Sequence, residues 1–301
     1  MTEPLFRRES LLEIIAHVER CLAQRAPIAF AVLDPDRGRG RYAGELVDDH
    51  VHRPWRTWVD LAERLGLRLL TPRVEAPLVH LRFEPLVRTR TTTAGTEKYG
   101  TGSEFARISK LEDPGFVLDV ADALARAKLG PTPRILDLGV NTGDELALLA
   151  RHAPGATLVG IDHSASALVV ARTRFPAATL IEASLAELGA LELGRFDLVI
   201  SIDTLQSPGI DDREVLRRVV QDHLTRTGAV IIGFPNCRYV DGEIEYGTRM
   251  KNFRQPELGL LVKDIAFYRK YLQQHQRQVF VTGKHDVLVT GVYAAGGDGA
   301  T

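Results

Sequence analysis

Two acids and two glycines near the middle of the chain have the spacing of a turn that binds a nucleoside. Asp137, Gly139 and Gly143 follow a short apolar run, and Asp162 comes nineteen residues after Gly143. Glycines let the backbone turn tightly and let a ligand approach it closely. A carboxylate at the end of the next strand can accept hydrogen bonds from both hydroxyls of a ribose. The combination therefore predicts a ligand that contains a nucleoside.

The composition of this turn favours a cation over a dinucleotide. A dinucleotide-binding turn carries three glycines in the pattern G-x-G-x-x-G, whereas this turn has two glycines with Asn141 between them. Asp137 would repel a pyrophosphate and would attract a positively charged sulfonium. We therefore expect a sulfonium nucleoside rather than NAD.

The turn lies in a region where predicted strands and helices alternate. The predicted strands are 134–139, 157–161, 179–181, 196–202, 228–234, 277–282 and 286–293, and the predicted helices are 144–152, 165–174, 211–224 and 256–275. Such alternation is typical of an α/β, Rossmann-like fold with a mostly parallel sheet. The last two strands flank a short turn at 283–285, which predicts an antiparallel C-terminal hairpin.

The chain before this region is predicted to form a smaller α+β domain over residues 1–112, followed by the main domain over 113–301. Its predicted elements are helices 8–24 and 55–65 and strands 28–33, 67–70 and 77–83. Residues 89–113 are rich in threonine, glycine and charge, so they are predicted to be a linker, a lid or both.

Charge and cysteine content exclude several classes of protein. The chain has 38 Lys and Arg against 39 Asp and Glu, which excludes a globally basic nucleic-acid binder. Two cysteines, Cys21 and Cys237, are too few for a disulfide scaffold or a four-thiolate zinc site, and no metal site is predicted. No run of 18 apolar residues occurs. We expect a cytoplasmic protein that does not bind membranes.

The segment 137–143 resembles motif I of the class I S-adenosylmethionine-dependent methyltransferases. That family has a seven-stranded sheet whose last strand is inserted antiparallel, which is similar to the hairpin predicted here. The resemblance covers roughly residues 114–293. It implies a seven-stranded Rossmann-like sheet, S-adenosyl-L-methionine as the cofactor, and transfer of its methyl group.

The resemblance also implies which residues hold the cofactor. Asp137, Gly139, Asn141 and Gly143 would surround the methionine part, Asp162 would hold the ribose, and His163 and Ser184 would lie at the adenine. Each has an alternative: the glycines serve only the turn, Asp162 and Ser184 cap helices, and His163 is a surface residue. Tyr99 or Arg107 is predicted to meet the methionine carboxylate, the arginine by a bidentate pair. The alternative is that both residues belong to a linker.

The predicted acceptor residues follow the fourth and fifth strands of the main domain. Asp203 would position the acceptor or take its proton, and the alternative is that it caps the loop 206–210. The segment after the fifth strand is predicted to be a binding loop or an ordinary surface excursion, and it contains Asn236, Arg238, Tyr239, Glu243 and Tyr246. Cys237 is expected to be structural.

Three functions fit these features, and we favour a methyltransferase acting on a small molecule, with residues 1–112 supplying an acceptor pocket or a homodimer surface. An RNA or protein methyltransferase is the first alternative, since residues 82–110 and 238–284 have net charges of +3 and +4. A non-catalytic regulatory protein that binds S-adenosylmethionine is the second.

Overall fold

The computed structural model describes residues 3–36, 42–87, 108–240, 243–246 and 259–294, with the backbone alone described for 238–240, 243, 245–246 and 259–260. These residues form two compact units. One lies within 1–90 and 238–246, and the other within 91–237 and 247–301.

The first unit is built on a small antiparallel sheet. Its elements are α1 (Leu11–Gln24), β1 (Ile28–Leu33), β2 (Leu46–Val47), β3 (His50–Val51), α2 (Trp55–Leu65), β4 (Leu67–Leu69), β5 (Arg73–Glu75) and β6 (Leu78–Pro85). The sheet order is β1-β6-β4, and β5 also pairs with β6. Helix α1 begins at Leu11 rather than Arg8, because Ser10 and Glu13 form a capping box there.

Aromatic side chains fill the core of this unit. The rings of Phe30 and Trp58 meet edge to face with centroids 5.7 Å apart, and the rings of Phe30 and Phe83 stack at 5.6 Å. Ile14 and Val18 of α1 are fully buried in the same cluster. The apolar face of α1 and the inner face of the sheet therefore share one core.

The second unit contains the predicted alternating region. Its helices and strands up to the end of the fifth parallel strand are α3 (Pro114–Ala127), β7 (Arg134–Leu138), α4 (Asp144–His152), β8 (Thr157–Asp162), α5 (Ala165–Arg174), β9 (Thr179–Glu182), β10 (Phe196–Ile202), α6 (Asp212–Arg218) and β11 (Leu224–Pro235). The chain then forms β12 (Cys237–Val240), β13 (Glu243–Tyr246), α7 (Gly259–Gln274), β14 (Arg277–Thr282) and β15 (Asp286–Tyr293).

The seven-stranded sheet has the order β14-β15-β11-β10-β7-β8-β9. β15 runs antiparallel to both of its neighbours, β11 and β14, while β10, β7, β8 and β9 run parallel. This confirms the predicted Rossmann-like fold with an antiparallel C-terminal hairpin. The parallel strands end at one edge of the sheet, so the residues that follow them are brought close together.

Three local predictions need correction. Helix α3 was not predicted, although Asp113 caps it and its buried residues have helical spacing (Phe116, Val120, Ala123 and Leu124). The predicted loop after β11 instead contains the paired strands β12 and β13, which are grouped with the first unit. β11 begins at Leu224 rather than at 228, because the predicted helix 211–224 ends in a wider π-helical turn over Val219–His223.

No helix in the described ranges is long and apolar enough to cross a membrane.

Candidate cofactor site

The turn between β7 and α4 has a backbone that depends on its glycines. Gly139 and Gly143 have φ angles of +88° and +93°, a region that side chains disfavour. A Cβ atom on Gly139 would lie 2.0 Å from Thr204 Oγ1, and one on Gly143 would lie 2.8 Å from the ring of Phe175. The turn is therefore packed too closely for any side chain at either position.

Asp162, at the end of β8, is joined to this turn. Its Oδ2 accepts a hydrogen bond from the backbone N–H of Asn141 at 2.9 Å, and its Oδ1 accepts one from Ser164 at 2.8 Å. Each carboxylate oxygen keeps a lone pair for a further donor. Ser164, not Asp162, is the N-cap of α5, since its hydroxyl accepts from the N–H of Ala167. The carboxylate thus fixes the turn and can still accept from a sugar.

Asp137 is almost completely buried on β7. It is 1% exposed, and neither of its carboxylate oxygens has a hydrogen-bond partner among the residues that the structure describes. Burial raises the pKa of Asp137 well above its ordinary value, and the nearby carboxylates of Glu145 and Asp162 raise it further. An unpaired buried carboxyl group is costly, so a cation or a hydrogen-bond donor beside it would be strongly favoured.

The first turn of α4 carries two more buried acids. Asp144 accepts hydrogen bonds from Arg174 at 2.9 Å and from the N–H of Lys110 at 2.9 Å. Glu145 is 5% exposed, and its Oε1 lies 3.5 Å from the Lys110 ammonium. Because a helix N-terminus attracts anions, these side chains already occupy the place where a dinucleotide would put its phosphates.

Asp203 comes directly after β10, with a left-handed φ of +58°. Its N–H donates to the carbonyl of Gly233 at 3.2 Å, and its Oδ2 lies 2.9 Å from the Lys110 ammonium. Burial alone would lower the pKa of Lys110, but Asp203 and Glu145 raise it well above its ordinary value. The carboxylate of Asp203 is therefore paired with a lysine that the sequence analysis had not connected with it.

The remaining predicted cofactor residues differ in their surroundings. The His163 side chain is 46% exposed, with Nδ1 3.6 Å from Asp162 Oδ1. Ser184 forms a capping box with Glu187, so the helix-cap alternative describes its contacts in this structure. Tyr99 and Arg107 lie outside the described residues.

Of the predicted acceptor residues after β11, the structure describes the side chain of Asn236 alone. Asn236 donates from its side chain to the carbonyl of Lys284 at 3.0 Å. Arg238, Tyr239, Glu243 and Tyr246 lie in β12 and β13, where their side chains are outside the description. Cys237 is a half-buried free thiol, and burial together with nearby carboxylates raises its pKa to about 12, so it is a poor nucleophile.

Three charged residues of this sheet edge were missed by sequence analysis: Lys110, Glu145 and Asp286. The paired acids at the start of α4 were a local signal for Glu145. Lys110 and Asp286 lie far from the turn in the sequence, and no spacing rule connects them with it.

These surroundings fit S-adenosylmethionine better than a dinucleotide. The close-packed glycine turn, the unpaired carboxyl group of Asp137 and the acidic start of α4 favour a positively charged ligand over a pyrophosphate. Asp162 is placed to accept from ribose hydroxyls. Within the described ranges, no group of three or more His, Cys, Asp or Glu residues is arranged to hold a metal ion.

Comparison with known proteins agrees with this geometry. Residues 136–230, which include the turn and Asp162, match a family model described as a methyltransferase domain. The part of the chain that contains the turn is therefore similar to the class I S-adenosylmethionine-dependent methyltransferases, whose cofactor is S-adenosyl-L-methionine.

Curated relatives match a short part of the chain. A trans-aconitate 2-methyltransferase of Paracidovorax citrulli is 43% identical over 65 residues, which are 22% of this chain and 25% of that protein. One of Afipia carboxidovorans is 45% identical over 65 residues, with the same coverage. The chain thus matches about a quarter of the length of these relatives.

Solved methyltransferase structures are also similar. A precorrin-6y C5,15-methyltransferase of Geobacter metallireducens has a TM-score of 0.41 at 16% identity, covering 58% of this chain and 87% of its own. A TehB-like methyltransferase of Corynebacterium glutamicum has a TM-score of 0.40 at 19% identity, covering 58% and 88%.

Proposed function

We propose that this protein transfers the methyl group of S-adenosylmethionine to a small-molecule acceptor. The observation that carries the proposal is the turn at 139–143, whose N–H at Asn141 is bonded to the buried carboxylate of Asp162. This arrangement joins a close-packed glycine turn to a group suited to a ribose. The cofactor supplies an activated methyl group on a sulfonium, so the protein has mainly to orient the two reactants.

The cofactor roles follow the resemblance position by position. We assign Asp137, Gly139, Asn141 and Gly143 to the methionine part, Asp162 to the ribose, His163 and Ser184 to the adenine, and Tyr99 or Arg107 to the methionine carboxylate. Exposure of the His163 ring is compatible with stacking on a base. Ser184 keeps a hydroxyl that already accepts from the N–H of Ala186 at 3.2 Å and can still donate to a ligand.

The acceptor side is assigned to Asp203 and to the segment that follows β11. A small-molecule acceptor is supported by the trans-aconitate 2-methyltransferases, which match this chain over 65 residues. Asn236 and the positions of β12 and β13 named above are proposed to contact the acceptor. We also propose that residues 1–112 supply an acceptor pocket or a homodimer surface.

Titration calorimetry with S-adenosylhomocysteine, the demethylated product, tests the proposal. We expect binding by the wild-type protein and none of comparable strength with NAD. Asp162→Asn should weaken binding about tenfold or more, or at least about 1.4 kcal/mol, because a ribose acceptor is lost. Asp222→Asn changes an exposed acid in the same way and should leave binding unchanged. Heat with NAD and none with the nucleoside would refute the cofactor assignment.

The same preparation distinguishes the alternative functions. Tight, strongly salt-dependent binding of RNA would favour an RNA methyltransferase. Binding of the nucleoside without methyl transfer into any cell fraction would favour a regulatory protein. We place the protein in the cytoplasm, and sedimentation measurements would test whether it forms the proposed homodimer.

A further inference from the structure

A lysine that the sequence analysis did not assign lies at the edge of the sheet where the cofactor is proposed to bind. The Lys110 ammonium lies 2.9 Å from Oδ2 of Asp203, which follows β10, and 3.5 Å from Oε1 of Glu145, in the first turn of α4. It also lies over the Phe116 ring, 5.1 Å from the ring centroid. Two carboxylates and an aromatic ring therefore hold this charge in place.

The backbone of the same lysine is tied to the glycine turn through Asp144. Asp144 Oδ2 accepts a hydrogen bond from the N–H of Lys110 at 2.9 Å and another from the Ser109 hydroxyl at 3.1 Å. Its Oδ1 accepts one from Arg174 at 2.9 Å, and the same nitrogen of Arg174 donates to the carbonyl of Thr142 at 2.7 Å. These bonds fix the position of the lysine relative to the turn.

The acid that pairs with the lysine lies beside the same turn. Thr204 follows Asp203 directly, and its Oγ1 lies 2.0 Å from the place of a Cβ atom on Gly139. Ser201 of β10 donates to the carbonyl of Leu138 at 3.0 Å. The ammonium thus lies between the end of β10 and the start of α4, the two elements that adjoin the turn assigned to the cofactor.

Three acids of the cofactor region lie in the field of this one ammonium. Asp203 and Glu145 contact it. It also lowers the pKa of Asp137, whose carboxylate oxygens have no partner within the described ranges. Because water and salt screen buried charges less than exposed ones, each of these charges acts over a longer distance than it would at the surface. The lysine therefore cancels part of the negative potential that the acids create.

We propose that Lys110 sets the charge balance of the cofactor site, and so determines how strongly the site prefers S-adenosylmethionine over its demethylated product. Lys110 is a specificity residue and takes no part in bond making. The inference rests on the proposed methyltransferase function and deepens it, because it names the residue that distinguishes the two charge states of the bound nucleoside.

The two ligands differ by one methyl group and one positive charge. The acids of the site favour the sulfonium of S-adenosylmethionine, and the Lys110 ammonium opposes it. When the methyl group passes to the acceptor, the electrons of the broken S–CH3 bond stay on sulfur, which becomes a neutral thioether. Negative charge that binds the sulfonium therefore also opposes the transfer, and the lysine limits this stabilisation of the ground state.

Paired calorimetric titrations of the full chain with S-adenosylmethionine and S-adenosylhomocysteine test the proposal. The measured quantity is the ratio of the two association constants. Lys110→Met keeps most of the side chain and removes its charge, so the ratio should rise about tenfold, the effect of a unit charge about 10 Å away at an effective dielectric constant of about 20. Lys110→Arg keeps the charge and should keep the ratio within about threefold of the wild type. Lys270→Met, on an exposed part of α7, should not change it.

Asp203→Asn supplies a test of opposite sign. It removes a negative charge and leaves the lysine, so the ratio should fall about tenfold. The double variant of Lys110→Met and Asp203→Asn lacks both members of the ion pair, and its ratio should return to within about threefold of the wild type. A general loss of structure weakens the binding of both ligands together, so it does not account for changes of the ratio in opposite directions.

The outcomes separate this inference from the proposed function. If the wild type binds both nucleosides and the ratio for Lys110→Met equals that for Lys270→Met, or falls, the inference is overturned and the methyltransferase proposal stands. An equal loss of affinity for both ligands in Lys110→Met overturns it as well, since the lysine would then be purely structural. A wild-type protein that binds neither nucleoside fails the proposed function itself, and this inference with it.

Discussion

Replacing Gly139 by alanine tests the close packing of the cofactor turn. Gly139 and Gly209 share a φ of +88°, but a Cβ on Gly209 would meet nothing within 4 Å, whereas one on Gly139 would lie 2.0 Å from Thr204 Oγ1 and 2.7 Å from Thr204 Cβ. The two substitutions therefore carry the same backbone strain. They differ in the overlap with a neighbouring side chain.

The difference between the two variants can be estimated. A left-handed backbone costs an ordinary residue about 1–2 kcal/mol, so Gly209→Ala should lower the free energy of unfolding by that amount. Overpacking adds about 1–3 kcal/mol, so Gly139→Ala should lower it by about 2–5 kcal/mol. Thr204→Ala removes two of the three overlapping atoms and should recover part of the loss when combined with Gly139→Ala.

Urea unfolding at 25 °C, with equal m-values for the variants compared, measures these differences. Calorimetry with S-adenosylhomocysteine should show weaker binding for Gly139→Ala alone, since the displaced turn is the one assigned to the cofactor. If Gly139→Ala were as stable as Gly209→Ala, the result would refute the close contact between Gly139 and Thr204.

Two further predictions concern stability. Arg277 is 8% exposed, and its guanidinium donates to the carbonyl oxygens of Thr225, Arg226 and Gly228. Arg277→Met should therefore lower the free energy of unfolding by about 2–4 kcal/mol, measured in urea. Arg126→Met, which removes a surface i,i+4 ion pair, should cost less than about 1 kcal/mol, and equal losses would contradict this account. Because the pKa of Asp286 is raised to about 8, its proton is held in the folded state and released on unfolding, so wild-type stability falls as pH rises from about 4 to 8. The free energy of unfolding of Asp286→Asn should increase relative to that of the wild type over that range, by at most about 1.4 kcal/mol per pH unit. A difference in urea midpoints that stays constant with pH would refute the raised pKa.

Local sequence patterns were sufficient to predict most strands of the seven-stranded sheet. The strands β7, β8, β10, β14 and β15 lie within one residue of their predicted bounds, because each is a short apolar run between turn residues. The turn at 139–143 could also be predicted from its two glycines, since a left-handed backbone strongly favours glycine. Ser164, a residue type that favours the position before a helix, caps α5.

Longer-range features were harder to predict. Helix α3 carried helical spacing and a cap that were overlooked, so its omission was not a limit of the sequence. The strand β13 has the alternating sequence Glu-Ile-Glu-Tyr, which is a signal for a strand, whereas β12 shows no clean alternation and is a strand because it pairs with β13. The wide turn at the end of α6 likewise follows from how the chain enters β11.

The sequence alone determined the alternation of strands and helices from β7 to β11, the glycine turn and the acid at the end of the next strand, because each depends on neighbours along the chain. Tertiary structure decided which charges meet at the sheet edge. Lys110 reaches Asp203 across 93 residues, and Asp286 joins them only because β15 is inserted antiparallel beside β11. Such contacts depend on where distant strands end in space, so no local spacing can reveal them.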